Sequence, residues 1–140
     1  MGSGTLTGYR TQQVLTAAGV TMRELDWWLR QRVVSSSLAE AEGSGSSRRF
    51  SFVDVVVVRF VAFARRRGIE LHSPIVTQGI EGLRAAAPAD LASGVLVIYD
   101  GRGEVVGAFE AADVATECAV NGVSVLIVPL DEIAAGLGTA

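Results

Sequence analysis

The chain of 140 residues contains no lysine, one histidine, one cysteine and three prolines, and no uninterrupted apolar run long enough to cross a bilayer. Each shortage removes a class of function. Cys118 alone cannot close an internal disulfide; in an Ala/Val-rich helix it reads as a small buried apolar residue. One thiol and one imidazole do not give a single chain the paired soft ligands of a metal sensor. His72 stands near no nucleophile constellation and reads as a surface or helix-start residue. Gly43-Ser44-Gly45 and Gly101-Arg102-Gly103 lack the flanking strand, the spacing and the Lys-Ser/Thr of phosphate loops, so both read as turns. No enzyme, no cofactor and no bound metal are expected. With no basic-then-apolar leader at its start, the chain is expected in the cytoplasm. Met1-Gly2-Ser3-Gly4 is small and flexible and stands outside the fold reasoning.

What is present is globular in composition, 49% apolar and 19% charged, with charge of the two signs kept apart. All twelve basic residues are arginine. Eleven of them lie at or before Arg84 against seven acids, a balance of +4, whereas beyond it Arg102 alone faces eight acids, a balance of −7. A basic half suits phosphate neutralisation, and the acidic half should then face away from the same polyanion.

The stretch Tyr9 to Phe50 carries the most specific pattern. Thr11 to Ala18 spaces Val14, Leu15 and Ala18 as a helix, and Gly19 supplies the permissive backbone that ends it. Thr21 followed by Glu24 is capping-box spacing and predicts a sharp start for a second helix. On that helix Leu25, Trp28 and Leu29 form one stripe, while Arg23, Trp27 and Arg30 form another at i, i+4 and i+7. Two helices joined by a short Gly-bearing turn, the second with an arginine near its start, is the arrangement that lays a recognition helix in a DNA major groove. Val33-Val34 can begin a strand, a polar loop spans Ser35 to Ser47, and Arg48-Arg49-Phe50 closes it, giving a hairpin wing with its arginines toward the backbone beside the groove.

In this order of elements the chain resembles the DNA-binding domain of the MerR family over roughly residues 8–84. The matching residues are Tyr9-Arg10, Gly19-Val20-Thr21, Leu25, Trp27-Trp28, Arg48-Arg49-Phe50-Ser51, Asp54 and Gly68-Ile69-Glu70-Leu71. The resemblance implies a sequence-specific regulator binding double-stranded DNA, located with the nucleoid. Arg23, Trp27, Arg30, Arg48 and Arg49 are its candidate contact residues. Trp27 is read either against a sugar-phosphate strand or packed on the wing. The chain departs from the family at Asp26, where a basic residue is usual, in its long Ser/Gly-rich loop, and in lacking a long helix after Ala87.

Further along, Ser51 and Asp54 repeat the cap spacing, and Phe52 to Arg67 reads as a helix despite the strand-prone run Val55–Val58. Arg65-Arg66-Arg67 at its end complements the helix dipole, and is read equally as a solvated terminus or a phosphate contact. Leu71 to Ala87 reads as a helix with Ser73 as cap and Pro88 as its stop. From Gly94 the pattern turns to strands: Val95–Tyr99, a turn at Asp100-Gly101-Arg102-Gly103, a return strand over 104–109, a helix over 111–120, a third strand over 123–128, and a last helical turn through Leu137. The expected class is α+β: a mostly helical winged helix-turn-helix over residues 9–87 behind a flexible 1–8, then a small acidic three-stranded α/β domain over 88–140. Val95–Ile98 and Val125–Val128 are too apolar for a layer left open to water. That predicts a homodimer through the sheet, by face or edge, unless the helix over 71–87 covers it. Two other readings stay open: an architectural or recombination accessory factor, and an antitoxin or adaptor whose acidic half binds a protein partner.

Overall fold

The computed structural model describes residues 8–38 and 48–137. Residues 1–7 of the flexible segment expected over 1–8, most of the polar loop with its Gly43-Ser44-Gly45 turn, and the last three residues lie outside the described residues. The fold is α+β: helices in the N-terminal part, then a three-stranded antiparallel sheet interleaved with helices.

A short strand, β1 (Tyr9–Arg10), runs into helix α1 (Thr11–Ala18), where the Arg10 amide donates to Gln13 Oε1 at 2.8 Å. Gly19, at φ 64°, ends α1 in the left-handed conformation its lack of a Cβ permits. Helix α2 (Met22–Arg30) starts at the expected box: the Glu24 amide donates to Thr21 Oγ1 at 3.1 Å and the Thr21 amide to Glu24 Oε1 at 2.9 Å. Leu25 and Trp28 turn inward and are buried.

After α2 the chain departs from the expected wing. Val33 and Val34 form no strand. Arg32 takes φ 59°, its amide bonds Leu29 O at 3.1 Å and the Val33 amide bonds Trp28 O at 3.0 Å, which is the helix-ending pattern usually built on glycine. The two valines are held by this C-cap, Val34 with its side chain buried. Strand β2 (Arg49–Phe50) pairs instead with β1, Tyr9 opposite Phe50 and Arg10 opposite Arg49. The Leu38 amide on Arg49 O, at 3.1 Å, ties the loop's near side to β2.

Helix α3 (Phe52–Arg66) is the centre of the molecule. Val55 to Val58 are all fully buried, so the run is helical because it is covered on every side: α1, α4, α5 and α7 all pack on it. Asp54, also fully buried, caps α3 and gathers its surroundings. Its Oδ2 accepts from the Ser51 amide at 2.8 Å and from the Ser37 amide and hydroxyl at 2.7 Å each, while Oδ1 accepts from Arg84 Nη1 at 2.7 Å.

Helix α4 (Pro74–Ala85) begins at its Ser73 cap, later than Leu71, because proline with its preset φ suits the first helical position. For the same reason Pro88, expected only to stop that helix, opens another, α5 (Pro88–Ser93). Strands β3 (Val95–Tyr99) and β4 (Arg102–Val106) are joined by only two residues, Asp100 and Gly101, at φ 50° and 76°. The expected four-residue turn therefore contracts, and Arg102 and Gly103 enter the strand. Helix α6 (Ala108–Asn121) starts earlier than expected and takes in Phe109; β5 (Val125–Pro129) returns antiparallel to β3, and α7 (Leu130–Ile133) follows. The sheet order is β4-β3-β5.

Helix α4 lies against β4 and β3 at backbone contact. A Cβ on Gly82 would stand 2.8 Å from the Gly103 carbonyl, so glycine is what allows the approach. Leu96, Ile98 and Val128 join the same core as α1, α2 and α3, and this face of the sheet is covered within one chain. Pairing of two copies through that face is thereby overturned. Val97 points to the other face, beneath α6, which buries Ala111 and Cys118 there. Among the described residues no helix is long and apolar enough to cross a membrane.

Candidate nucleic-acid interface

The arginines divide into two sets by what their guanidinium groups touch. One set ties the fold together. Arg59 donates from Nε to Ala17 O at 2.8 Å and from Nη1 to Ile133 O at 2.9 Å and Ala135 O at 2.6 Å, joining the ends of α1 and α7; burial pushes its pKa below the ordinary guanidinium value. Arg84 joins Asp54 and also donates to Ser35 Oγ at 3.0 Å. At the end of α3, Arg65 pairs with Glu24, Arg66 donates to the carbonyls of Ala18 and Gly19, and Arg67 stacks on the Phe63 ring at 3.6 Å. The Arg65–Arg67 run is thus engaged internally.

The other set is free. The side chains of Arg10, Arg23, Arg32, Arg48 and Arg49 make no ion pair or hydrogen bond among the described residues. All five belong to α2, its C-cap turn, β1, β2 or the approach to β2. Arg23, near the start of α2, shares one groove of about 710 Å³ with Trp27 and Arg30; Trp28, Val61, Ile69 and Leu71 add apolar lining. Trp27 is 49% exposed, with the Arg30 guanidinium 5.8 Å from its ring centroid. Arg30 is itself paired with Asp26 at 2.9 Å, an exposed i,i+4 bridge that partly neutralises it. The departure at Asp26 is thus answered within the helix.

Arg30 also borders a second hollow of about 420 Å³, with Arg32, Val34, Ser35 and Arg48. Of the five sequence candidates, Arg23, Trp27, Arg30 and Arg48 therefore line two adjoining hollows. Arg49 borders neither; it stands across the strand pair from Arg10. Arg10 and Arg32 were not among the candidates. Arg10 could have been found only from the pairing of β1 with β2. Nothing in the sequence marks Arg32 as the left-handed residue that follows the Gln31 cap of α2.

Comparison with known proteins agrees with this geometry. No family model matches the chain. Over 96 residues, 69% of its length, it is 38% identical to proteins of Mycobacterium tuberculosis and Mycobacterium bovis described as uncharacterized HTH-type transcriptional regulators. The relatives are helix-turn-helix proteins. The matched stretch makes up 41% of each relative's length. Those descriptions do not specify a MerR type, a subunit arrangement or a ligand. In the present chain α1, the Gly19 turn and α2 form two helices joined by a tight turn, with α2 carrying the exposed Arg23–Trp27–Arg30 face.

Proposed function

We propose that the chain is a sequence-specific, non-enzymatic regulator that binds double-stranded DNA through a MerR-like winged helix-turn-helix, with α2 as the recognition helix and the β1–β2 pair, rather than a hairpin from Val33-Val34, as its wing. The observation that carries this reading is that Arg10, Arg23, Arg32, Arg48 and Arg49, unengaged among the described residues, cluster on and around α2 and the β1–β2 pair, while Arg59, Arg65, Arg66, Arg67 and Arg84 are tied into the fold. Arg23 contacts bases or phosphates from the start of α2. Arg30, Arg48 and Arg49 hold phosphates, and Trp27 lies against the sugar-phosphate strand. The acidic part beyond residue 87 is carried away from the duplex.

A half-site read by one module gives limited specificity, so the reading includes a homodimer on a symmetric site. With one sheet face filled by α4, the surface that suits self-pairing is the outer edge of β5, where Ile127 is 38% exposed. Selection of bound duplexes from a random pool, followed by fluorescence anisotropy on the winner and a scrambled control, tests the assignment. Arg23→Ala should narrow the gap between the two duplexes, whereas Arg49→Ala should weaken both alike. An unchanged affinity in both variants would sink the proposal.

A further inference from the structure

The outward face of α6 is apolar where an exposed helix would ordinarily be charged. Ala111 and Cys118 face the sheet; on the opposite side Phe109 is 91% exposed and Val120 79%, with Thr116 on the same line between them. Eleven residues at helical rise set Phe109 and Val120 about 16 Å apart on one stripe. Exposed Ala112 and Ala119 extend it on one flank. Glu110, Asp113 and Glu117 stand exposed along the other, and none of them has an ion pair among the described residues. A phenylalanine held almost wholly in water, on the same stripe as an exposed valine and flanked by exposed alanines, marks this helix face as a candidate interaction surface.

We propose that this face docks a partner protein presenting an apolar ridge edged with arginine or lysine. Charge selects the occupant. The three carboxylates, in a part of the chain carrying −7 overall, repel a nucleic-acid backbone or an anionic membrane and complement a basic edge. A second copy fits poorly. Two α6 helices packed antiparallel about a two-fold axis, the arrangement their dipoles favour, would set the acidic flank of one beside that of the other. In a basic partner's complex Phe109 is the buried anchor and the carboxylates form the rim that sets register and association rate. The face lies on a different element from every free arginine, so this inference stands independently of DNA binding.

The test uses the full chain and two synthetic helical peptides with the same leucine ridge, one edged with arginine and one with glutamate, titrated by calorimetry. The arginine peptide should bind at least about tenfold more tightly than its glutamate twin. Phe109→Ser with Val120→Ser should weaken it by about tenfold or more, with the melting curve and DNA affinity unchanged. Glu110→Gln, Asp113→Asn and Glu117→Gln together should remove the preference between the peptides. Equal binding of both peptides, or binding of neither, would overturn the proposal. So would a dimer in sedimentation that the Phe109/Val120 variant dissolves, since the face would then belong to a second copy.

Discussion

An arginine can neutralise a phosphate only if its guanidinium is not already holding the fold, and that distinction separates residues alike in sequence. Arg65, Arg66 and Arg67 form the densest basic run in the chain, yet each is engaged by α2, α1 or its own helix. Arg49 belongs to a run of only two, and its side chain makes no ion pair or hydrogen bond among the described residues. Loss of a free arginine near bases is expected to remove about 1–3 kcal/mol of discrimination, so Arg23→Ala should bring specific and non-specific duplexes closer by that amount in anisotropy titrations. Arg32 makes a separate prediction. A residue with a Cβ in the left-handed region is disfavoured by about 1 kcal/mol, so Arg32→Gly should raise the urea midpoint, offset in part by the freer unfolded chain. A lower midpoint would mean that the Arg32 side chain holds the turn. Asp54 shows the opposite dependence: Asp54→Ala leaves Arg84 and the donors of Ser37 and Ser51 without their acceptor, and should destabilise by about 3–5 kcal/mol in equilibrium unfolding.

At the scale of elements, capped helices were the most legible. Thr21 with Glu24 and Ser51 with Asp54 each start a helix where the spacing says, and Ser73 caps one as its place before Pro74 suggests though later than the Leu71 expected, because a cap is a local bond between residues three apart. Val55–Val58 was legible for a second reason, since the cap and helix length outweigh strand propensity once all sides are covered. The partner of β2 was not legible. Pairing with β1 joins residues some forty positions apart, whereas Val33-Val34 offered a nearer strand that capping of α2 removed. The candidate site was read accordingly: the α2 residues follow from helical period, and Arg10 and Arg32 depend on tertiary pairing and on a turn. The seat of α4 was hidden too, because Gly79 and Gly82 read as neutral in a helix and matter only against β4 and Phe60. Gly82→Val should therefore destabilise by about 2 kcal/mol or more, the new side chain meeting backbone that cannot yield cheaply, as measured by urea unfolding. Unchanged stability would mean that α4 can slide along the sheet.

For the whole molecule, one apolar core from Val14 to Ala134 supports two surfaces of opposite charge. If two copies join at the β5 edge, Ile127→Lys should shift sedimentation toward monomer and weaken DNA binding while leaving the melting curve intact, since lysine on an outer strand opposes pairing there. A dimer that persists would place the subunit contact elsewhere. The central claim is that the free arginines around α2 and β1–β2 are what meets DNA, and the salt dependence of binding tests it most directly. Each phosphate contact contributes about −0.9 to the slope of log affinity against log salt. The full chain should show a steep slope that flattens by roughly one unit for each of Arg10→Ala, Arg48→Ala and Arg49→Ala, and not at all for Arg102→Ala on β4. A slope equally steep in all these variants, or one flattened only by Arg102→Ala, would contradict the account.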